Sequence, residues 1–143
     1  MNFPQATKSG LRKWITFSGR ASRSEYWWFL VFYIAVVMYA HFVNEALDHS
    51  GVMKSTTNIP LLLGASALLL VNCVLLVWVA GAMISVFVRR MHDTEHSGWW
   101  YWIAFTFIGI FFPLLYWKCT KGTEGANRFG ADPLQGDKGN LIQ

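Results

Sequence analysis

Three observations predict an all-α integral membrane helical bundle. Hydrophobic residues make up 54% of the 143-residue chain and charged residues only 14%, whereas an ordinary soluble domain carries about 25% charged residues. The charges are confined to the two ends and to two connectors, which leaves three long apolar runs. None of these runs alternates with period 2, and a backbone in hydrocarbon must satisfy its own hydrogen bonds, so helices follow and a barrel does not. The expected architecture is three transmembrane helices plus a short N-terminal amphipathic helix. It divides into a basic leader over residues 1–25, a membrane domain over 26–117 and a polar tail over 118–143.

The leader sets Lys8, Arg12, Lys13, Arg20 and Arg23 against one acid, Glu25. Leu11, Trp14, Ile15 and Phe17 interleave with Arg12 and Lys13, the pattern of an amphipathic turn lying among headgroups with its cations outward. The first run extends from Tyr26 to Val43; at about 18 residues it is roughly long enough to cross a hydrocarbon core. Its opening aromatics, Tyr26, Trp27 and Trp28, suit the interfacial belt. A polar loop over 44–59 follows, with Lys54 its one basic residue.

The second run, Pro60 to Val88, carries no charge. Pro60 suits a first helical turn, and the length of the run predicts tilt or projection beyond the bilayer. Within it, Gly81 and Ser85 stand four apart in a small-residue patch that lets helices approach closely. Arg89 and Arg90 end the run. A short polar connector over 91–98 leads to the third run, Trp99 to Trp117, bracketed by aromatics and expected to bend at Gly109 and Pro113. The tail is rich in Gly, Lys and Asp with no apolar period, which predicts poor order at its end.

With three crossings, the leader and second connector share one side with seven basic residues, and the first loop and tail share the other with five. The positive-inside rule then places the N-terminus in the cytoplasm and the tail across the membrane from it. A re-entrant third segment would return the tail to the inner side, but only 19 residues are available for the excursion.

The formal net charge of +4 sits beside apolar runs. It therefore predicts attraction to anionic headgroups, worth about 1 kcal/mol per cation near the surface, and no nucleic-acid partner. The two cysteines, Cys73 and Cys119, have neither metal-ligand spacing nor the pattern of a disulfide framework. The apolar runs begin too late and are too many for a cleaved signal peptide.

Few constellations point to chemistry. His92 and His96 are four apart, but no glutamate directly follows the first, so the His-Glu-x-x-His metalloprotease pattern is absent. No P-loop, dinucleotide turn or nucleophile–base motif is present. No enzyme activity, metal or cofactor is expected. His41 and Asn72 lie in or near the apolar runs, where polar side chains most often hydrogen-bond between helices. Glu25 opens the first run and Arg89 and Arg90 close the second. Antiparallel neighbours bring these ends to one face, which predicts a Glu25 ion pair to Arg89 or Arg90, with His92 and Asp93 packed near the leader.

Three stretches occur in a telling order: residues 17–29, reading FSGRASRSEYWWF; residues 89–100, reading RRMHDTEHSGWW; and residues 122–133, reading GTEGANRFGADP. Together they resemble the YhaH-like family of small bacterial inner-membrane proteins, known as domain of unknown function 805, over roughly residues 10–135. The resemblance implies a multi-pass helical protein of the bacterial inner membrane and carries no known activity. Its motif positions fall on Gly19, Arg20, Arg23, Glu25, Tyr26 and Trp27, then on Arg89, Arg90, His92, Asp93, Ser97, Gly98 and Trp99. In the tail they fall on Gly122, Gly125, Asn127, Arg128, Gly130, Asp132 and Pro133. The chain departs from the pattern at Glu95, where the family has Gly, which bears on the tightness of that turn, and at Met91, where the family has Leu.

The expected function is non-enzymatic binding of an anionic lipid headgroup or a partner protein at the inner membrane face. It rests on Arg20, Arg23, Arg89 and Arg90 with flanking Trp. Glu25, His92, Asp93, Asn127 and Arg128 complete the motif set, as ligand or structural residues. The alternative is an oligomeric small transporter or channel component, with Asn72 and the Gly81/Ser85 patch at helix contacts. Membrane lipids are the expected partner, with a homo-oligomer or a second membrane protein as further candidates.

Overall fold

The computed structural model describes residues 1–54, 58–105 and 115–134. Among them are four α-helices: α1 (Phe3–Arg12), α2 (Arg23–His49), α3 (Ile59–Asp93) and α4 (Leu115–Cys119). Two 3-10 segments, Val52–Lys54 and Gly98–Phe105, accompany them. No strand occurs among the described residues beyond an isolated bridge between Asn127 and Gly130 in the tail.

The leader helix lies upstream of where the amphipathic pattern places it. Asn2 caps α1 by accepting from the Gln5 amide, and the Gln5 side chain accepts in return from the Asn2 amide, a capping box that satisfies two orphan donors of the first turn. Residues 13–15 are a turn, so Trp14, Ile15 and Phe17 are carried by a loop. Helix α1 rests on α2 at Gly10, where an added Cβ would stand 2.3 Å from the Phe29 ring.

Helix α2 starts at the Ser22 cap, whose hydroxyl accepts from the Glu25 amide at 3.2 Å. It runs through Asn44, Glu45, Asp48 and His49, residues expected to form a loop. Helix α3 has 35 residues, roughly 52 Å at 1.5 Å per residue, against a hydrocarbon core of about 30 Å. Both helices are long and apolar enough to cross a membrane.

The two long helices divide into unlike halves. In the apolar half only a thin seam is buried, at Ala40, Ala65, Asn72 and Val79, while Ile34, Met38, Phe42, Leu63, Leu70 and Val74 are exposed. Lipid is as apolar as these side chains, so that exposure carries no penalty in a bilayer. The seam contains one polar link, from Asn72 Nδ2 to the Ala40 carbonyl at 3.4 Å. The other half holds the compact core of Tyr26, Phe29, Ala82, Val86, Phe87 and Met91, roofed by the leader and tail.

A third crossing is not shown. Residues 106–114 lie outside the described residues, as does the end of the tail, 135–143. The described flanks of the third run both meet the C-terminal end of α3. Tyr101 packs edge-on against Phe87 with centroids 5.2 Å apart, and Trp117 packs against Trp100 at 5.4 Å and His96 at 3.9 Å. The tail therefore lies with the leader and not across from it, which corrects the sidedness expected from the sequence. The basic-residue count separated the sides by a thin margin. The tail is held there by its hydrogen bonds to the end of α3 and to Arg20, described next.

Candidate functional site

A helix leaves its last four carbonyls without intrahelical partners. At the end of α3 the connector's own amides serve two of them, Thr94 and His96 donating to the Met91 carbonyl and Glu95 to the His92 carbonyl, and the leader and the tail add further bonds around this last turn. The Arg89 carbonyl accepts from the Ala21 amide at 3.0 Å, and the Asp93 carbonyl from the Thr123 amide at 2.9 Å. The His92 carbonyl accepts from Asn127 Nδ2 at 3.0 Å. The end of α4 is closed by arginine. Arg90 donates to the carbonyls of Trp117 (3.2 Å), Lys118 (3.3 Å) and Thr120, and Arg23 to that of Cys119 (3.3 Å). Cations at a helix C-terminus also complement its dipole.

Beneath these contacts lies a buried charge cluster. Arg20, Arg89 and Arg90 face Glu25 and Asp93, all five buried. Asp93 is the hub: Arg20 Nε donates to its Oδ1 at 2.9 Å, and Arg90 Nη1 donates to its Oδ2. Arg20 continues outward to the carbonyls of Thr123 and Gly125. Gly122 permits this closeness, because a Cβ there would stand 2.0 Å from Asp93 Oδ2. The expected pair is present as Glu25–Arg89, with Arg89 Nη1 3.1 Å from Glu25 Oε1. The same oxygen accepts from Ser9 Oγ at 2.9 Å. Arg90 takes Asp93 instead.

This arrangement corrects the expected role of the arginines. Arg20, Arg89 and Arg90 are buried and committed within the chain, so they do not form a surface for headgroups; Arg23 alone of that set is exposed. His92 and Asp93 do pack near the leader, with His92 Nδ1 3.2 Å from the Gly19 carbonyl. His92 stacks on Phe129 (4.0 Å) whereas His96 stacks on Trp117 (3.9 Å), so the two rings serve different partners. Asn127 is internal to the tail junction. Arg128 is exposed and donates to the Glu95 carbonyl. The small-residue patch is occupied by the leader: Ser85 Oγ reaches the Lys13 and Thr16 carbonyls, each at 2.7 Å, and Trp14 lies over Gly81.

Sequence reasoning passed over Ser9, Thr123 and Lys118. The first two are ordinary polar residues with no pattern to single them out. The Lys118 ammonium stands 4.2 Å from the centroid of Phe87 and 5.3 Å from that of Tyr26. Burial pushes it down to about 8, while the cation–π contacts favour its charged form.

The family model described as protein of unknown function (DUF805) matches residues 14–131. The chain is similar to inner membrane protein YhaI of Escherichia coli (strain K12), 32% identical over 129 residues, 90% of this chain and 94% of that protein. It is also similar to inner membrane protein YhaH of the same organism, 35% identical over 126 residues, 86% of this chain and 91% of that protein. No solved structure matches. The matched region takes in the second half of the leader, both long helices and the tail junction that closes over them, and on this ground the chain belongs to the DUF805 family and is a small inner membrane protein.

Proposed function

We propose that the protein binds the anionic headgroup layer of the inner leaflet through the capped end of its helix pair. In this reading two helices cross, and the third apolar run returns to the face it leaves. One observation carries the reading. The acids consume the buried arginines, whereas Lys8, Arg12, Lys13, Arg23, Arg128 and Lys121, the last paired with Glu124, are exposed. Trp27, Trp28, Trp99 and Trp100 are exposed with them. Cations beside an aromatic belt suit an anionic interface, each adding about 1 kcal/mol.

The test compares the wild type with a Lys8→Glu, Arg12→Glu, Arg23→Glu variant, both extracted gently and reconstituted in nanodiscs. The wild type is expected to co-purify several times more phosphatidylglycerol and cardiolipin than the variant. Equal retention at equal helix content would sink the reading and leave a partner protein as the ligand for this face.

A further inference from the structure

We propose that the face of α3 turned away from α2 pairs with the same face of a second copy of the chain. The two long helices are mismatched at the end remote from the cap. Their register is fixed by the Glu25–Arg89 pair and by the Asn72–Ala40 hydrogen bond. At equal rise per residue, Glu45, Asp48 and His49 of α2 stand level with Ala67, Gly64 and Leu63 of α3, and the buried Ala65 shows that the helices still pack there. The α2 side chains at this height are 56%, 75% and 83% exposed, and Lys54 Nζ stands 3.8 Å from Asp48. Exposed carboxylates are costly in hydrocarbon, so the bilayer ends here. Yet Leu63, and Ile59 a turn beyond it, are 65% and 64% exposed. Exposure that is harmless in lipid is unfavourable at this height.

The length of the remaining chain keeps it from covering these side chains. Residues 55–57, Ser-Thr-Thr, are polar. Residues 106–114 leave and rejoin the described chain at the cap end of α3. An out-and-back path of that length extends at most about 16 Å, whereas Leu63 lies about 36 Å along α3 from Phe87. Residues 135–143 follow Leu134, which lines one small pocket with Asp93. They span at most about 32 Å, short of the roughly 45 Å from Asp93 to Leu63. The face itself has the pattern of a helix that meets its own image. Pro60, Leu63, Ala67, Leu70, Val74 and Val77 recur at alternating spacings of three and four, the a and d positions of a heptad. The seam residues Ala65, Asn72 and Val79 fall at f, on the opposite side, and Leu63, Leu70, Val74 and Val77 are each about two-thirds exposed. Trp14 closes the next position, Gly81. No charge falls on the stripe. Copies inserted in one orientation hold it at one depth, so a two-fold axis along the membrane normal lays each stripe on its image in register. The acids of α2 stay outside the contact.

Disulfide trapping in native membrane vesicles tests the pairing, with the full chain carrying Cys73→Ser and Cys119→Ser. In that background Ala67→Cys and Val74→Cys, both at a positions, are expected to give a disulfide-linked dimer under mild oxidation. Facing a positions bring the Cα atoms within reach of the bond. Met38→Cys, exposed on α2 at the depth of Val74, is expected to stay monomeric. Adding Leu63→Glu sets a charge on the part of the stripe beyond the bilayer. It is expected to lower trapping at Val74→Cys several-fold at unchanged helix content. Trapping at Val74→Cys no greater than at Met38→Cys, or undiminished by Leu63→Glu, overturns the proposal. A cross-linked product of another mass also overturns it and gives the stripe to a different protein.

Discussion

Arg89 and Arg20 are both buried guanidiniums, and they are held in different ways. Arg20 uses its donors on Asp93, Thr123 and Gly125. Arg89 meets Glu25 through Nη1 alone, and its Nε and Nη2 have no partner among the described residues. An unmatched buried donor costs about 1–3 kcal/mol, so Arg89 depends heavily on its one carboxylate. Removing Glu25 strands a buried cation, an effect of about 3–5 kcal/mol when one member of a buried pair is deleted. Glu25→Gln and Arg89→Met are each expected to destabilise strongly, and the double variant by clearly less than the sum of the two. Thermal unfolding of the four proteins in detergent reads the cycle; additive effects would show that the pair does not couple.

Among the elements, the turn between α3 and the 3-10 segment concentrates the departure from the family pattern. Glu95 has φ +62°, the left-handed region, which costs a residue with a Cβ roughly 1–2 kcal/mol and which glycine enters freely. The Glu95 amide bonds to the His92 carbonyl at 3.1 Å, and its own carbonyl holds Arg128, so the backbone is fixed there whatever the side chain. Glu95→Gly is therefore expected to stabilise the protein. The gain is about 1 kcal/mol or less, because glycine gives back roughly 0.5–1 kcal/mol in unfolded-state entropy. A lower unfolding temperature for Glu95→Gly would mean that the exposed carboxylate makes a contribution larger than the strain.

At the scale of the whole molecule, the placement of the tail decides the sidedness. Every described Lys and Arg except Lys54 belongs to the leader, the C-terminal end of α3 or the tail, and those three segments are joined by the hydrogen bonds of the cap. Gathering them on one face turns a thin positive-inside margin into a wide one, which predicts that this face is cytoplasmic. Fusions at either terminus are expected to report the same compartment: a cytoplasmic fluorescent reporter active at both ends, and a periplasmic phosphatase reporter active only when inserted near Lys54. A C-terminal phosphatase with full activity would mean that the third run crosses after all.

The sequence by itself determined the solvent. Uncharged runs as long as Pro60–Val88 have no other stable home than a bilayer, and their lack of alternation makes them helices. It also carried the Glu25 pair, because two antiparallel helices must set their like ends side by side. It did not carry the division of labour among the arginines, or the return of the tail. Leu-rich spacing says where apolar length lies; it is silent on which donor finds which carbonyl. Lys118, Thr120, Thr123 and Gly125 present only backbone oxygens to the cluster, and a backbone oxygen has no signature in a residue string. The choice between arginines exposed to headgroups and arginines buried beneath a cap lay with the tertiary structure, since burying a guanidinium is favourable only where its partners are already assembled around it.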